Sequence, residues 1–218
     1  YQIGLFIILL GFITLEIITG RFLNKGLSKP RDWIIEVFST VMILGVTQPL
    51  IIIAASAIMV AVYPTHADSL VHLPAWLMFI IFMFVDDIAQ YWWHRASHSL
   101  PWLYNLHRAH HSANYMSIRL TYRNNLFYYA LMPSIWLSAV LMYLGFAEVF
   151  GYFIGAKLLI VCGAHSSIKW DSFLYKYEVL KPLRWLVQHT IITPAFHFAH
   201  HGKHKADGVT NYKGNYGN

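Results

Sequence analysis

The sequence predicts an all-α integral membrane protein: a helical bundle of four or five spanning or re-entrant helices under a cytoplasmic helical cap. Of its 218 residues, 57% are hydrophobic and only 12% are charged, whereas a soluble domain carries roughly 25% charged residues. The apolar residues form several runs long enough to cross or enter a bilayer. The length fits one membrane-embedded domain, residues 1–218, with N-terminal spans over residues 1–74 and a second region over residues 75–218.

The first three apolar runs are each predicted to form a membrane helix. Residues 3–19 are long enough for a short or tilted span. Residues 33–62 exceed a minimal span and contain Pro49, so we expect a kink or a break there. Residues 75–93 form the third run, which leads directly into the histidine His94.

The last two apolar runs, residues 126–144 and 147–163, are separated by Gly145 and Phe146, a pattern typical of a helical hairpin. The second run also contains the single cysteine, Cys162, which we expect to be a small buried residue. Lys and Arg favour the cytoplasmic side of a membrane. This rule places three basic regions in the cytoplasm and the turn at Gly145 on the other side; the basic regions are residues 21–31, residues 94–125 and the C-terminal tail.

Histidines are clustered in the cap with helical spacing. Eight of them form three clusters: His94 and His98; His107, His110 and His111; and His197, His200 and His201. Residues three and four apart share one face of a helix, so each cluster is predicted to present several imidazoles together. Imidazole is the commonest metal ligand in proteins, and eight imidazoles exceed what one ion takes. The cap is therefore predicted to carry a histidine-rich dimetal site.

Several kinds of metal site fit this pattern less well than a pair of iron ions. A hydrolytic zinc site uses three protein ligands and a water. Metal transport needs a polar pathway through the spans, but these histidines lie at the ends of the apolar runs. Bis-histidine haem takes one histidine from each of two helices, a geometry that clustered H-x-x-H-H motifs do not serve. Two irons with open positions for dioxygen suit many neutral nitrogen ligands. A non-catalytic metal- or haem-binding membrane protein, such as a transporter or an electron carrier, remains the alternative. The net charge of +6 comes without a nucleic-acid-binding motif, so no nucleic acid partner is predicted.

Longer motifs around these histidines resemble the fatty acid hydroxylase / sterol desaturase superfamily of integral membrane non-haem di-iron oxygenases. The resemblance runs from about residue 75 to the end. It rests on the segments D-I-A-Q-Y-W-W-H-R-A-S-H (87–98), L-H-R-A-H-H-S (106–112), T-Y-R (121–123), G-A-H-S (163–166), T-P-A-F-H-F-A-H-H (193–201) and N-Y-G-N (215–218). The H-x-x-x-H spacing of the first box matches the hydroxylase and sterol group. The acyl-CoA desaturase-like membrane enzymes have H-x-x-x-x-H instead.

The resemblance implies a lipid hydroxylase or desaturase that uses two iron ions, dioxygen and external electrons to oxidise a C–H bond of a fatty acyl chain, a sterol or a related lipid. Zinc is expected to replace iron in some expression hosts. Both hydroxylation and desaturation stay open, because both begin by removing one hydrogen. A ninth ligand, His165, matches a family histidine. The implied ligand set is His94, His98, His107, His110, His111, His165, His197, His200 and His201.

Two charged residues near the boxes have alternative predicted roles. Asp87 lies about two helical turns before His94. It is predicted either to accept a hydrogen bond from a ligating imidazole or to pair with Arg95 as an interfacial acid. Arg123 is predicted to pair with an acid or with a lipid head group.

The sequence contains no flavin, haem or iron–sulfur motif, so the electrons are expected to come from a separate haem, flavin or ferredoxin-type protein. A basic cytoplasmic face is predicted to dock an acidic donor, and it comprises Arg95, Arg108, Lys203 and Lys205. The remaining histidines are not expected to bind the metals; these are His66, His72, His189 and His204.

Overall fold

A computed structural model describes residues 2–202, 211–214 and 216–217, with the side chains from residue 4 onward. The described residues form helices and no strand, which confirms the all-α prediction. The helices are α1 (Gln2–Ile18), α2 (Pro30–Met42), α3 (Gln48–Val62), α4 (Ala75–Ser99), α5 (Pro101–His107), α6 (Leu126–Ala130), α7 (Pro133–Leu141), α8 (Ala147–His165), α9 (Phe173–Lys176), α10 (Lys181–Thr190) and α11 (Pro194–His201). Five residues with predicted roles or in the predicted motifs lie outside the described part: Lys203, His204, Lys205, Asn215 and Asn218.

Three helical stretches are long and apolar enough to cross a membrane: Pro30–Val62, Ala75–Ser99 and Pro133–His165. A shorter apolar helix covers Gly4–Ile18. Many large apolar side chains on these stretches face outward, including Ile53, Trp76 and Phe84. Such a surface is suited to contact with lipid.

The first long stretch changes its helical geometry just before Pro49. A π-helical turn, Ile43–Thr47, joins α2 to α3, and the N–H of Gln48 donates to the carbonyl of Ile43. Proline lacks the N–H that continues an α-helical ladder, and the wider turn accommodates this gap. The expected irregularity is thus a π turn inside a continuous helical stretch.

The predicted hairpin turns at Gly145. This residue has a φ of +118°, and a Cβ added to it would lie 2.8 Å from the backbone nitrogen of Val71, so only glycine fits. The N–H of Leu70 donates to the carbonyl of Leu144 at 2.8 Å. The turn is therefore fixed against the segment that leads into α4.

The first arm of the hairpin differs from the predicted continuous run of residues 126–144. It is divided into α6, which ends at Ala130, and α7, which begins at Pro133. Proline disfavours the α conformation of the residue before it, and Met132 is extended, with ψ of 113°.

Inside the bundle, Phe82 of α4 stacks on Phe153 of α8 at 4.7 Å between ring centroids.

The two ends of the bundle are chemically different. At one end, the hydroxyl of Tyr143 donates to the carbonyl of Tyr63 at 2.7 Å. At the other end, Glu16 of α1 is fully buried and accepts hydrogen bonds from the Ser117 hydroxyl and the Ser167 N–H. All three histidine clusters lie at this second end, together with the regions that the charge pattern places on one side.

Candidate metal centre

All nine histidines of the implied ligand set converge, and they do so in two groups. In each group the potential ligand atoms all lie within 4.8 Å of one another. The five-histidine group consists of His94, His98, His107, His111 and His200. The four-histidine group consists of His110, His165, His197 and His201.

The four-histidine group forms a ring of nitrogen atoms. Its Nε2–Nε2 sides are 2.9 Å (His165–His197), 3.2 Å (His197–His201), 3.0 Å (His201–His110) and 3.3 Å (His110–His165). Ring centroids of neighbours are 4.1–5.1 Å apart, whereas the two opposite pairs are 6.0 and 6.3 Å apart. A tetrahedral cluster would make all six separations similar. The imidazoles instead surround a centre in a square arrangement.

The five-histidine group adds an apex to a similar ring. Successive ring centroids are 4.6–4.9 Å apart in the order His94, His200, His111, His107. The centroid of His98 lies 4.6–5.3 Å from all four of them. The fifth imidazole therefore caps the ring, which gives a square-pyramidal set of donors.

The nitrogen spacings fit a metal ion in each group. A metal–nitrogen bond of roughly 2.1 Å places nitrogens at right angles about 3.0 Å apart. The sides of the four-histidine ring match this value. In the five-histidine group, His94 and His200 are 3.0 Å apart and His107 and His111 are 3.1 Å apart, measured between Nε2 atoms. The residues present thus fit two ions with nitrogen ligands.

The imidazoles outside the candidate spans are in a state that suits metal binding. Burial lowers the pKa of His200 to about 4, below its ordinary value of 6.5. Burial first, and the charges of neighbouring imidazoles second, lower the pKa well below 6.5 in the others: His107, His110, His111, His197 and His201. Metal ions bind neutral imidazole, so these groups need to release no proton at neutral pH.

Hydrogen bonds on the outer nitrogens orient several rings. Nδ1 lies next to a backbone carbonyl in three cases: His94 with Tyr216 (3.2 Å), His165 with Val161 (2.8 Å) and His200 with Gly214 (2.7 Å). A carbonyl accepts only, so it holds the proton on Nδ1 and leaves the Nε2 lone pair for a metal. Nδ1 of His107 faces the Asn124 amide at 3.2 Å.

A buried ion pair network holds the second histidine cluster in place. Arg123 donates from Nε to the carbonyl of Ala109, between His107 and His110, at 3.0 Å. The same guanidinium bonds the carboxylates of Asp32 and Glu36, at 3.0 and 3.1 Å. Of the two predicted partners for Arg123, the structure therefore shows an acid. The network fixes the histidine segment to α2.

The third cluster is anchored by a residue that sequence reasoning missed. Asp171 is 1% exposed, and its carboxylate accepts a hydrogen bond from the Ala195 N–H at the start of α11. Glu16 and Asn124 were missed too. An acid in an apolar helix, such as Glu16, is a signal that could have drawn attention to its role.

Other predicted residues are not members of the two histidine groups. Asp87 is exposed, with a carboxylate oxygen 3.9 Å from the position that a Cβ on Gly217 would take. The exposed Arg95 donates to the Tyr91 hydroxyl at 2.9 Å. His189 faces the carbonyl of Trp185. His66 and His72 lie at the opposite end of the bundle, and Cys162 is buried as predicted.

A cavity opens beside both groups. Its volume is about 1140 Å³, including its open mouth. Its walls are largely apolar, with Met132, Ile135, Phe150 and Phe153 among the lining residues. Five of the histidines also reach it: His94, His107, His110, His165 and His197. An apolar chain in this cavity would lie next to both groups of histidines.

Comparisons with known proteins agree with this chemistry. Residues 79–218 match the family model for fatty acid hydroxylase. The chain is 27% identical over 210 residues to alkylglycerol monooxygenase of Danio rerio, a match that covers 94% of this chain and 43% of the relative. The chain thus spans less than half the length of that protein. No solved structure matches the chain to a significant degree.

Proposed function

Because the chain belongs to the fatty acid hydroxylase family, we propose that it is a membrane di-iron oxygenase that oxidises a C–H bond of a lipid. The observation that carries the proposal is the pair of histidine groups beside one apolar cavity. When bound, two iron ions would provide the chemistry that oxidises an unactivated C–H bond, with dioxygen as the oxidant and two electrons from outside the protein. The nine histidines hold the ions, and the proposed ligands are all neutral nitrogen donors.

The shape of the four-histidine group supports iron over zinc. Structural and catalytic zinc sites are tetrahedral or nearly so. A square ring of four nitrogens does not match that set; it suits an ion with a higher coordination number, such as iron, and copper(II) and nickel(II) also take square sets of nitrogen donors. His94 and His107 of one group line the cavity together with His110, His165 and His197 of the other, so a small molecule in the cavity would reach both proposed sites.

The cavity supports a lipid substrate. Its apolar walls favour a hydrocarbon chain and disfavour water, so the chain is held next to the ions while solvent is excluded. Candidate spans surround the cavity, and this suits delivery of a fatty acyl chain, a sterol or a related lipid from the bilayer. The relative's name, alkylglycerol monooxygenase, supports insertion of one oxygen atom, so hydroxylation is the reaction we propose first.

The electrons come, in this proposal, from a separate haem, flavin or ferredoxin-type protein that docks at the histidine end. Arg95 and Arg108 are exposed at this end, which suits an acidic partner. We assign the histidine end to the cytoplasm on the basis of the basic regions at 21–31 and 94–125.

Metal content and isotope transfer test the proposal. Protein purified with iron under anaerobic conditions is expected to hold two irons per chain and to show no Soret band. A host that makes the protein is expected to accumulate an oxidised lipid that carries one atom of ¹⁸O from ¹⁸O₂. His110→Ala is expected to abolish the product, because it removes a quarter of the four-histidine ring. His189→Ala, on the exposed face of α10, is the matched control.

Three results would overturn this function. One metal ion per chain contradicts a dimetal site, and a Soret band indicates a haem protein. Metal flux in vesicles without any oxidised lipid indicates a transporter.

A further inference from the structure

A charged pair lies within the candidate spans, away from both histidine groups. The Lys157 ammonium of α8 and the Asp86 carboxylate of α4 are 2.5 Å apart. The side chains are 20% and 6% exposed, and both residues line the large cavity. Ionisable groups inside a membrane span are costly and commonly serve a function.

The pair stands at a defined distance from the candidate metal centre. Asp86 precedes His94 by eight residues on α4, and Lys157 precedes His165 by eight residues on α8. Both helices run toward the histidine end, so each offset corresponds to about 12 Å of helix. The cavity is lined by these two histidines and by the charged pair. A chain that lies in the cavity can therefore reach both.

The cavity wall that contains the pair has spare hydrogen-bonding capacity. An ammonium group has three donors, and Asp86 is the one hydrogen-bond acceptor seen for Lys157 among the described residues. The hydroxyl of Ser134 is also in the cavity wall; Ser134 is 1% exposed, and its Oγ has no hydrogen-bond partner within the described part of the chain. Buried polar atoms are normally satisfied, so these groups suit a polar ligand atom.

We propose that Lys157, Asp86 and Ser134 form a subsite for the neutral, oxygen-bearing end of a lipid, above all a hydroxyl group. A hydroxyl oxygen accepts from the ammonium, while its proton is donated to the carboxylate or to Ser134 Oγ. A fatty acid carboxylate brings a second negative charge next to Asp86, and an amine brings a second positive charge next to Lys157. Both are disfavoured at low dielectric, so the subsite selects neutral lipids.

This inference rests on the proposed function only for what it implies about which carbon is oxidised. If the hydroxyl is held at the pair, the carbon that is oxidised lies about 12 Å away, at the histidine groups. Binding itself is independent of turnover, so it is tested directly.

Competition for a photo-crosslinkable cetyl alcohol analogue tests the subsite. The iron-loaded full chain is placed in phosphatidylcholine vesicles, and cetyl alcohol, hexadecane and palmitate compete for the label. These three compounds share one chain length and differ in the polar end. Partition into the vesicles is the same for every protein variant, so comparison between variants cancels it.

Two variants remove the polar contacts. The double substitution Asp86→Leu with Lys157→Met makes the wall apolar without leaving an unpaired charge. It is expected to weaken the binding of cetyl alcohol at least about tenfold, the usual effect of losing hydrogen bonds to charged groups, and to leave hexadecane unchanged. Ser134→Ala is expected to weaken cetyl alcohol about threefold, because it removes one neutral hydrogen bond.

A charge-swapped variant is the matched control. Asp86→Lys with Lys157→Asp keeps both the donor and the acceptor, and it is expected to keep the preference for cetyl alcohol. Metal content reports folding in every variant. If the double variant fails to load metal, the Ser134→Ala and charge-swapped results decide the question.

The subsite is wrong if a metal-loaded double variant binds cetyl alcohol as tightly as the unmodified chain, or if palmitate competes as well as the alcohol. If the variants lose the preference for cetyl alcohol but the unmodified chain oxidises no lipid, the proposed function is refuted and the subsite is supported. Lipid oxidation with no change in alcohol binding refutes the subsite alone.

Discussion

The two histidine groups differ in how they draw on the sequence motifs. Within the second cluster, His107 and His111 belong to the five-histidine group, while His110 belongs to the other group. The third cluster shows the reverse assignment: its i and i+4 members are in the four-histidine group, and His200 crosses to the five-histidine group. Histidines four residues apart thus share a group. The histidine at i+3 serves the other, so a motif is not equivalent to a metal site.

Helix geometry explains this division in the third cluster, which lies entirely on α11. Each residue of an α-helix turns by about 100°, so i+4 lies about 40° from i on one side and i+3 lies about 60° from it on the other. Neighbours such as His200 and His201 therefore diverge strongly although their ring centroids are only 5.8 Å apart, and one H-x-x-H-H motif serves two adjacent centres. The second cluster shows the same division without a continuous α-helix, since α5 ends at His107 and a 3₁₀ turn begins at His110.

The groups also differ in whether a ring of four nitrogens remains after one histidine is removed, and this difference gives the largest expected effect. His165→Ala leaves three nitrogens in the four-histidine group, whereas His98→Ala leaves the five-histidine group with a complete ring. We expect His165→Ala to lower the metal content from two ions to one and to reduce lipid oxidation at least about 100-fold, since loss of a ligand costs more than the 10–100-fold effect of an outer partner. His98→Ala is expected to retain two ions.

Metal analysis by mass spectrometry and product analysis on the same preparations measure both effects. His72→Ala, at the far end of the bundle, is the control. Equal loss of metal in the His98 and His165 variants would contradict this difference between the two groups.

Much of this arrangement could be predicted from local sequence. Hydrophobic runs predicted the main helices, and basic loops predicted that all histidine clusters lie at one end. Gly145 marked the turn of the hairpin. The ninth histidine, His165, came from the family resemblance, because it stands alone in the sequence.

The features that were missed depend on contacts between distant segments. Asp171 contacts Ala195, and Lys157 contacts Asp86. An acid partner for Arg123 was predicted, but its identity as Asp32 and Glu36 was not. No spacing rule connects residues so far apart. The break between α6 and α7 is different, because Pro133 is visible in the sequence as a local signal.

The second largest expected effect is the loss of folding stability of the metal-free chain as the pH falls. The pKa of His200 is lowered to about 4 from 6.5 by burial. Between these values the unfolded chain binds a proton that the folded chain does not bind, so stability is fully present above pH 6.5 and is lost as the pH falls toward 4. The loss from this one group is about 3 kcal/mol.

Thermal unfolding of the metal-free chain between pH 7 and pH 4.5 measures this loss. His200→Gln is expected to flatten the fall in unfolding temperature, while His189→Gln, on an exposed helix face, is expected to leave it unchanged. Bound metal is expected to delay the fall to lower pH in the unmodified chain, because the ions compete with protons for the same nitrogens. A pH response that His200→Gln does not alter would show that other groups control it.

The residues that hydrogen-bond the outer imidazole nitrogens differ between the two groups, and this difference gives the smallest expected effect. Asn124 is a side-chain partner of the five-histidine group, whereas Val161 serves the four-histidine group through its backbone carbonyl. Asn124→Ala is expected to weaken the metal bound by His107 and its neighbours about 10–100-fold, because such partners hold the ring in its binding orientation. Titration with a chelator measures this: one of the two ions is expected to leave more readily, and the other is expected to behave as in the unmodified chain. Asn105→Ala, at an exposed position on α5, is the matched control. If both ions become equally labile in the Asn124 variant, the two centres share their outer support and behave as one unit.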